Sequence, residues 1–74
     1  MDEWTFYMPN AEEIYKIIIF DDGNEMYNNE ICNNDLYQNE WLIAGHWKGK
    51  IRLINRNDSS VKIQSISKWK IIKI

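Results

Sequence analysis

The second half of the chain consists of short runs in which apolar and charged side chains alternate, separated by turn-forming residues. The clearest run is 50–55, which begins with the alternating residues Lys50, Ile51, Arg52 and Leu53. A period of two is typical of a β-strand with one buried and one exposed face. We therefore predict strands over 41–47, 50–55, 61–66 and 68–74, with a two-residue turn at Lys48-Gly49 and a polar loop over 56–60.

The first half has a weaker pattern. A short strand is predicted from Trp4 to Met8, and the isoleucine-rich run 14–20 also favours a strand. The turn-forming residues 21–24 and the run 25–31 would complete a hairpin. A turn or short helix is predicted over 36–40.

Residues 10–20 allow two further interpretations. Asn10 followed by Glu13 resembles a helix N-cap with a partial capping box, which predicts one helical turn over 11–14. The alternative is a longer helix from Ala11 to Phe20, because short apolar runs do not distinguish a helix from a strand.

Six or seven short strands in 74 residues indicate a single small β-rich domain over residues 1–74. The expected class is all-β, or mainly β with one short helix near residues 10–14. A small antiparallel barrel or half-barrel suits this pattern. The spacing of the last four strands is SH3-like or Sm-like, which is an analogy of architecture and carries no functional implication.

The chain is short and has few ways to be cross-linked. Domains of this size bury only about 60% of their unfolded surface and often need a disulfide, a metal or self-association. Cys32 is the only cysteine and His46 the only histidine, so neither an internal disulfide nor a four-ligand zinc site can form. No metal or cofactor is expected. Four Trp, four Tyr and two Phe instead favour aromatic packing and a homo-oligomer.

Composition also bears on location and partners. The acidic start and the lack of a following apolar run predict no signal peptide, and no run reaches the roughly 18 apolar residues of a membrane span. A lone cysteine fits a reducing compartment, so a cytoplasmic protein is expected. A net charge of −2 opposes nucleic-acid binding.

The charge is divided along the chain. Residues 1–40 hold ten acidic residues and one lysine, a charge of −9, whereas residues 41–74 hold eight basic residues and one aspartate, a charge of +7. Such asymmetry suggests an anionic partner. Two alternatives are that the halves neutralise each other within the fold, or that the acidic half of one subunit meets the basic half of another.

Groups suited to catalysis are sparse. A Cys32–His46 pair would require the two side chains to meet in space, and a buried thiol beside a strand histidine is the favoured interpretation. Residues 21–25 place acidic oxygens around a glycine but lack the spacing of a calcium loop. No catalytic residue is predicted, and the chain is expected not to be an enzyme.

The remaining pattern interleaves basic and aromatic residues, including Lys68 and Lys70. Aromatic rings stack on bases and cations hold phosphates. The alternative is that the tryptophans are core residues and the lysines are solvated. The predicted ligand-binding residues are Trp47, Lys48, Lys50, Arg52, Arg56, Asn57 and Trp69.

Two functions follow as expectations. The first is a binding protein that sequesters an anionic, nucleotide-type small molecule in basic and aromatic pockets of a homo-oligomer. Small size and a residue usage typical of AT-rich genomes suggest a phage protein acting against a host defence system. The second is an inhibitor or adaptor whose acidic N-terminal half engages a basic surface of a host protein.

Overall fold

The computed structural model describes residues 3–66 and 68–74, with the backbone alone at Tyr27 and at residues 37–39. It contains seven strands and one 3₁₀ helix. In chain order these are β1 (Thr5–Phe6), β2 (Ile14–Asp21), β3 (Asn24–Cys32), the 3₁₀ helix η1 (Asn33–Asn39), β4 (Trp41–Trp47), β5 (Lys50–Asn55), β6 (Val61–Ser65) and β7 (Trp69–Lys73).

The strands form two antiparallel sheets. One has the order β1-β4-β5-β6 and the other has the order β3-β2-β7. The mainly β class is thus confirmed, and no strand pairing between the two sheets is found in residues 3–66 and 68–74. No helix in this part of the chain is long and apolar enough to cross a membrane.

Both predicted hairpins are confirmed, and their turns use backbone conformations that suit glycine. Asp22 and Gly23 have φ of 48° and 82°, and Lys48 and Gly49 have φ of 43° and 75°. Two successive positive φ values give the turn that matches the twist of a two-residue hairpin. The second turn matters for function, because it carries Lys48 between β4 and β5.

Residues 10–20 do not form a helix. The Asn10 side chain accepts a hydrogen bond from the Glu12 backbone N–H at 2.9 Å, and the Asn10 carbonyl accepts one from Glu13 at 3.2 Å. The chain then enters β2 at Ile14. The residues that resembled a helix cap therefore close a turn. The prediction of a longer helix from Ala11 to Phe20 was wrong, because the isoleucines of this segment lie in β2, which pairs with a strand on each side.

The core lies between the two sheets. The three-stranded sheet contributes Tyr15, Ile17 and Ile71, and the four-stranded sheet contributes buried aliphatic side chains from β4 and β5. The Tyr15 hydroxyl hydrogen-bonds the Glu13 carboxylate at 2.8 Å and the Ile43 carbonyl at 3.2 Å. This burial and the Glu13 charge raise the pKa of Tyr15. The phenol therefore stays protonated, and its hydrogen bond to the Ile43 carbonyl joins the two sheets.

If the last four strands formed one meander, their alternation would place Lys50, Arg52, Lys62, Lys68 and Lys70 on one outer face. This arrangement does not form. Lys50 and Arg52 lie on the outer face of the four-stranded sheet, but Arg52 pairs there with Ile63. Lys62 pairs with Leu53 and places its ammonium 4.4 Å from the Trp41 ring centroid. Paired residues share a face of the sheet, so Lys62 lies on the opposite face from Arg52. Lys70 belongs to the other sheet altogether.

Gly45 lies where the backbones of the paired strands β1 and β4 approach each other closely. The register shifts between Ile43 and Gly45, which marks a β-bulge, and a Cβ at Gly45 would lie 2.8 Å from the Thr5 carbonyl oxygen. An isolated glycine within a strand indicates a bulge or a close backbone approach, and the structure shows both at Gly45.

Gly45→Ala is expected to destabilise the fold by about 1–3 kcal/mol, the usual cost of overpacking, because β1 must shift to admit the methyl group. Urea unfolding followed by circular dichroism measures the change. Gly23→Asn is the control, since a Cβ at Gly23 meets no atom within 4 Å and Asn tolerates its positive φ. Equal stability of Gly45→Ala and the unsubstituted protein would contradict the close β1–β4 contact.

Candidate functional site

Two lysines and a tryptophan converge at the turn between β4 and β5. The ammonium groups of Lys48 and Lys50 lie 5.3 Å and 5.8 Å from the Trp47 ring centroid. The other side of this cluster is aromatic, because the Trp4 and Trp47 ring centroids are 5.8 Å apart. The turn holds both cations beside one indole.

A cavity of about 510 Å³ opens beside this turn, and we call it the turn-side cavity. One wall comes from the turn, and the opposite wall comes from Trp69, Lys70 and Ile71 at the start of β7. The β2–β7 pairing places these residues there, with Trp69 opposite Ile19 and Lys70 opposite Ile18. Pairing within the second sheet therefore adds a third lysine and a second tryptophan to the cavity.

Neither tryptophan belongs to the buried core. Trp69 is 45% exposed, and among the side chains that the structure describes no other aromatic ring or cation contacts its indole. Trp47 is half-buried, but its Nε1 is fully buried and has no hydrogen-bond acceptor in the described part of the chain. Trp69 can thus stack on a planar ligand. The Nε1–H of Trp47 is a buried donor that lacks an acceptor among the described residues.

The cavity has a net positive lining. Lys48, Lys50 and Lys70 line it with Glu3 and His46. Among the described residues, no carboxylate oxygen lies within 4.0 Å of the three ammonium groups. An ion pair between the two halves of the chain does form elsewhere, where Lys73 Nζ lies 3.0 Å from Glu13 Oε1. The three lysines of the cavity remain available to an anion.

His46 lies on the cavity wall and hydrogen-bonds through Nδ1 to the hydroxyl of Tyr7. Burial lowers the pKa of His46 below its ordinary value of 6.5, and the nearby charge of Lys70 lowers this pKa further. Burial raises the pKa of Tyr7, so its phenol keeps the proton that it shares with Nδ1. At neutral pH the imidazole is therefore uncharged.

This arrangement predicts that anion binding strengthens as pH falls. An anion in the turn-side cavity would offset the charge of Lys70 and raise the pKa of His46, so the bound state takes up a proton. Affinity then rises as pH falls through the interval between the bound and free pKa values, by about tenfold for each unit of difference. In the free protein the same lowered pKa makes stability decline below pH 6.5, because the unfolded chain takes up the proton first.

Titration calorimetry between pH 8 and pH 5.5 measures this dependence. The probe is a nucleoside 5′-sulfate, because a phosphate would change its own charge near pH 6. His46→Asn is the matched variant, since an amide oxygen can still accept from Tyr7 but does not titrate. Persistence of the pH dependence in His46→Asn would assign it to another group.

The predicted ligand-binding residues divide into two groups. The cavity brings together Trp47, Lys48, Lys50 and Trp69. The guanidinium of Arg52 instead lies 5.4 Å from the Phe6 ring centroid.

Arg56 and Asn57 lie beyond the far end of β5, and the strand itself spans about 17 Å from Lys50 to Asn55 at a rise of about 3.3 Å per residue. The Arg56 and Asn57 backbone N–H groups bond the Glu40 carbonyl and the Asn55 side chain.

Two titratable residues of the cavity wall, His46 and Glu3, lay outside the basic and aromatic pattern of the sequence. Lys70 was part of the basic and aromatic pattern but was not among the predicted site residues. Lys70 directly follows Trp69 and lies two residues after Lys68, and this spacing was the sequence signal that could have identified it as a site residue.

The other candidate chemistry does not assemble. The Cys32 thiol donates to the Ala11 carbonyl at 3.3 Å, whereas His46 bonds Tyr7, so the two side chains have separate partners. Among the described residues, no group of three or more His, Cys, Asp or Glu side chains is placed to hold a metal ion.

No protein-family model, curated protein or solved structure matches the chain significantly. The function is therefore argued from the geometry of the turn-side cavity.

Proposed function

We propose that this protein binds an anionic small molecule of the nucleotide type in the turn-side cavity and holds it without converting it. The observation that carries the proposal is the convergence of Lys48, Lys50 and Lys70 on a cavity of about 510 Å³ walled by Trp47 and Trp69. Ligand cavities usually measure about 300–1,000 Å³. The lone cysteine fits action in the reducing cytoplasm.

The chemistry of the wall matches both parts of a nucleotide. Stacking of a base on an aromatic side chain contributes about 1–3 kcal/mol, and the lysines supply charge-assisted hydrogen bonds to phosphate oxygens. Among the described residues of this wall, Glu3 is the one acid, and three lysines oppose it. Sequestration of such a ligand from a host defence system remains part of the proposal.

Titration of the purified protein with nucleoside monophosphates, followed by tryptophan fluorescence and calorimetry, tests the proposal. We expect saturable binding that quenches fluorescence. The unphosphorylated nucleoside and ribose 5-phosphate should each bind more weakly, since each lacks one of the two recognised parts. Equal binding of the nucleoside and its monophosphate would remove the role assigned to the lysines.

We also propose that copies of the chain associate through the outer face of the four-stranded sheet. Phe6, Val61 and Ile63 are 64%, 49% and 51% exposed there, although they are large and apolar. The β6 strand is also a free edge of its sheet. Apolar patches and free edges of this kind mark interaction surfaces.

Ile63→Lys is expected to shift the sedimentation profile to the monomer while the circular dichroism spectrum is retained. Gln64→Lys, on the neighbouring position of β6, is the control for added charge. A monomer already present in the unsubstituted protein at tens of micromolar would contradict the association.

A second candidate function rests on the β2–β3 hairpin. Its acidic side chains are exposed at and near the turn, at Asp21, Asp22, Glu25 and Glu30. A negative surface of this kind suits a basic patch on a protein partner. Asp21→Asn with Glu30→Gln should then weaken capture of that partner in a pull-down from host cells, whereas lysine variants of the turn-side cavity should not.

A further inference from the structure

A second cavity of about 520 Å³ lies on the other side of Trp69, and we call it the helix-side cavity. It is walled by η1, by the end of β6 and by the start of β7. Ile66, Trp69 and Ile71 line both this cavity and the turn-side cavity. The two spaces are therefore neighbours, with the half-exposed indole of Trp69 between them.

The helix-side cavity has polar groups of both charges. Asp35 projects from η1, and Lys68 precedes β7, with Gln64 and Ser65 from β6 on the same wall. Among the side chains that the structure describes, neither the Asp35 carboxylate nor the Lys68 ammonium has a hydrogen-bond or ion-pair partner. A carboxylate and an ammonium thus line one cavity without neutralising each other.

These groups complement guanine better than any other common base. Guanine presents two adjacent donors, N1–H and N2–H, which a carboxylate can accept together. Its O6 and N7 are acceptors that lysine side chains recognise. Adenine has a bare acceptor at N1, which would face the Asp35 carboxylate without a proton. Uracil and cytosine are smaller and lack N7.

We propose that the helix-side cavity is the base-binding part of the nucleotide site and selects guanine through Asp35 and Lys68. The inference rests on the proposed function, because the turn-side cavity and its three lysines would hold the phosphate. Trp69 lies between the two parts and offers its uncovered indole face to the base or ribose. The ligand is then a guanine nucleotide rather than an unselective set of anions.

Affinities for GMP, IMP, AMP and ribose 5-phosphate, measured by calorimetry on the full chain, test this proposal. GMP is expected to bind about 10- to 100-fold more tightly than AMP, the usual discrimination given by one bidentate contact between a side chain and a base. IMP keeps N1–H and lacks the N2 amino group, so its affinity should fall between those of GMP and AMP. Equal affinities for GMP and AMP would overturn the selection of guanine and leave the phosphate site standing.

Asp35→Asn is the decisive variant, because it replaces one acceptor with an amide donor at nearly constant size. It should remove the preference for GMP over AMP and leave the affinity for ribose 5-phosphate unchanged. Asp58→Asn, in the loop before β6 and at the opposite end of that strand from the cavity, makes the same change as a control and should keep the preference. Retained GMP preference in Asp35→Asn would overturn the role of this carboxylate. Failure of all four probes to bind would instead refute the proposed function itself.

Discussion

The double variant Lys50→Glu, Lys70→Glu is expected to lower the affinity for a nucleoside monophosphate by more than about 100-fold. Each lysine lines the turn-side cavity, and they come from opposite walls. Loss of one hydrogen bond to a charged group costs about 1.5–3 kcal/mol, and 1.4 kcal/mol corresponds to a tenfold change in affinity. Two carboxylates facing a phosphate would add repulsion to that loss.

The matched control is Lys16→Glu with Lys62→Glu, which makes the same change in net charge outside the cavity. Lys16 lies in β2, and Lys62 lies over Trp41. Calorimetry should show nearly unchanged affinity for this control at 0.15 M salt, where screening acts beyond about 8 Å. Equal losses in the two double variants would show that net charge, rather than the cavity, governs binding.

Replacement of Asn33 by leucine is expected to destabilise the protein by about 1–3 kcal/mol, because the buried Ile43 N–H would lose its side-chain acceptor. Asn33 is fully buried, donates through Nδ2 to the Asn10 carbonyl at 2.9 Å and accepts through Oδ1 from the Ile43 N–H at 3.2 Å. It thereby ties the turn before β2 to the central strand β4. For a domain of this size, such a loss is a large fraction of the free energy of unfolding.

Asn34→Ala is the control for Asn33→Leu, since in the described part of the chain no hydrogen bond is shown for the Asn34 side chain. Its effect should remain below about 0.5 kcal/mol, as for other substitutions away from such networks. Thermal and urea unfolding followed by tryptophan emission measure both variants. Similar midpoints for Asn33→Leu and the unsubstituted protein would contradict the bridging role of Asn33.

Local patterns predicted much of the fold. The alternation in 50–55 correctly indicated that Ile51 and Leu53 are buried, and the residue pairs at 22–23 and 48–49 marked both hairpin turns. These features depend on side-chain period and backbone conformation within a few residues, so one sequence suffices to identify them. The hairpin β4–β5 places three of the predicted residues, Trp47, Lys48 and Lys50, on the wall of the turn-side cavity.

The bulge in β4 explains why His46 was missed. Simple alternation from the buried Ile43 would place His46 on the outer face. The register shift between Ile43 and Gly45 pairs His46 with buried Ile51 instead, which turns the imidazole toward the cavity. One extra residue in the bulge moves every later residue of β4 to the opposite face of the sheet. The alternation of apolar and polar residues does not predict where such a bulge occurs.

The remaining errors concern long-range pairing. A single-sheet meander would have joined Lys50, Arg52 and Lys70 on one face, but β7 leaves that sheet and pairs with β2. The loop residues Arg56 and Asn57 lie outside the cavity, because they follow the end of β5 that is remote from it. Which strands become neighbours depends on packing of the whole chain, and short patterns do not encode it.

The central claim is that the turn-side cavity holds an anionic nucleotide, and native mass spectrometry of the protein isolated gently from its expressing cells tests it most directly. We predict a discrete species carrying one small-molecule adduct per cavity, with a mass that identifies a nucleotide. The adduct should be restored by nucleotide added after stripping, and it should be absent from Lys50→Glu, Lys70→Glu. A protein that carries no adduct and takes up none from a mixture of nucleotides would contradict the account.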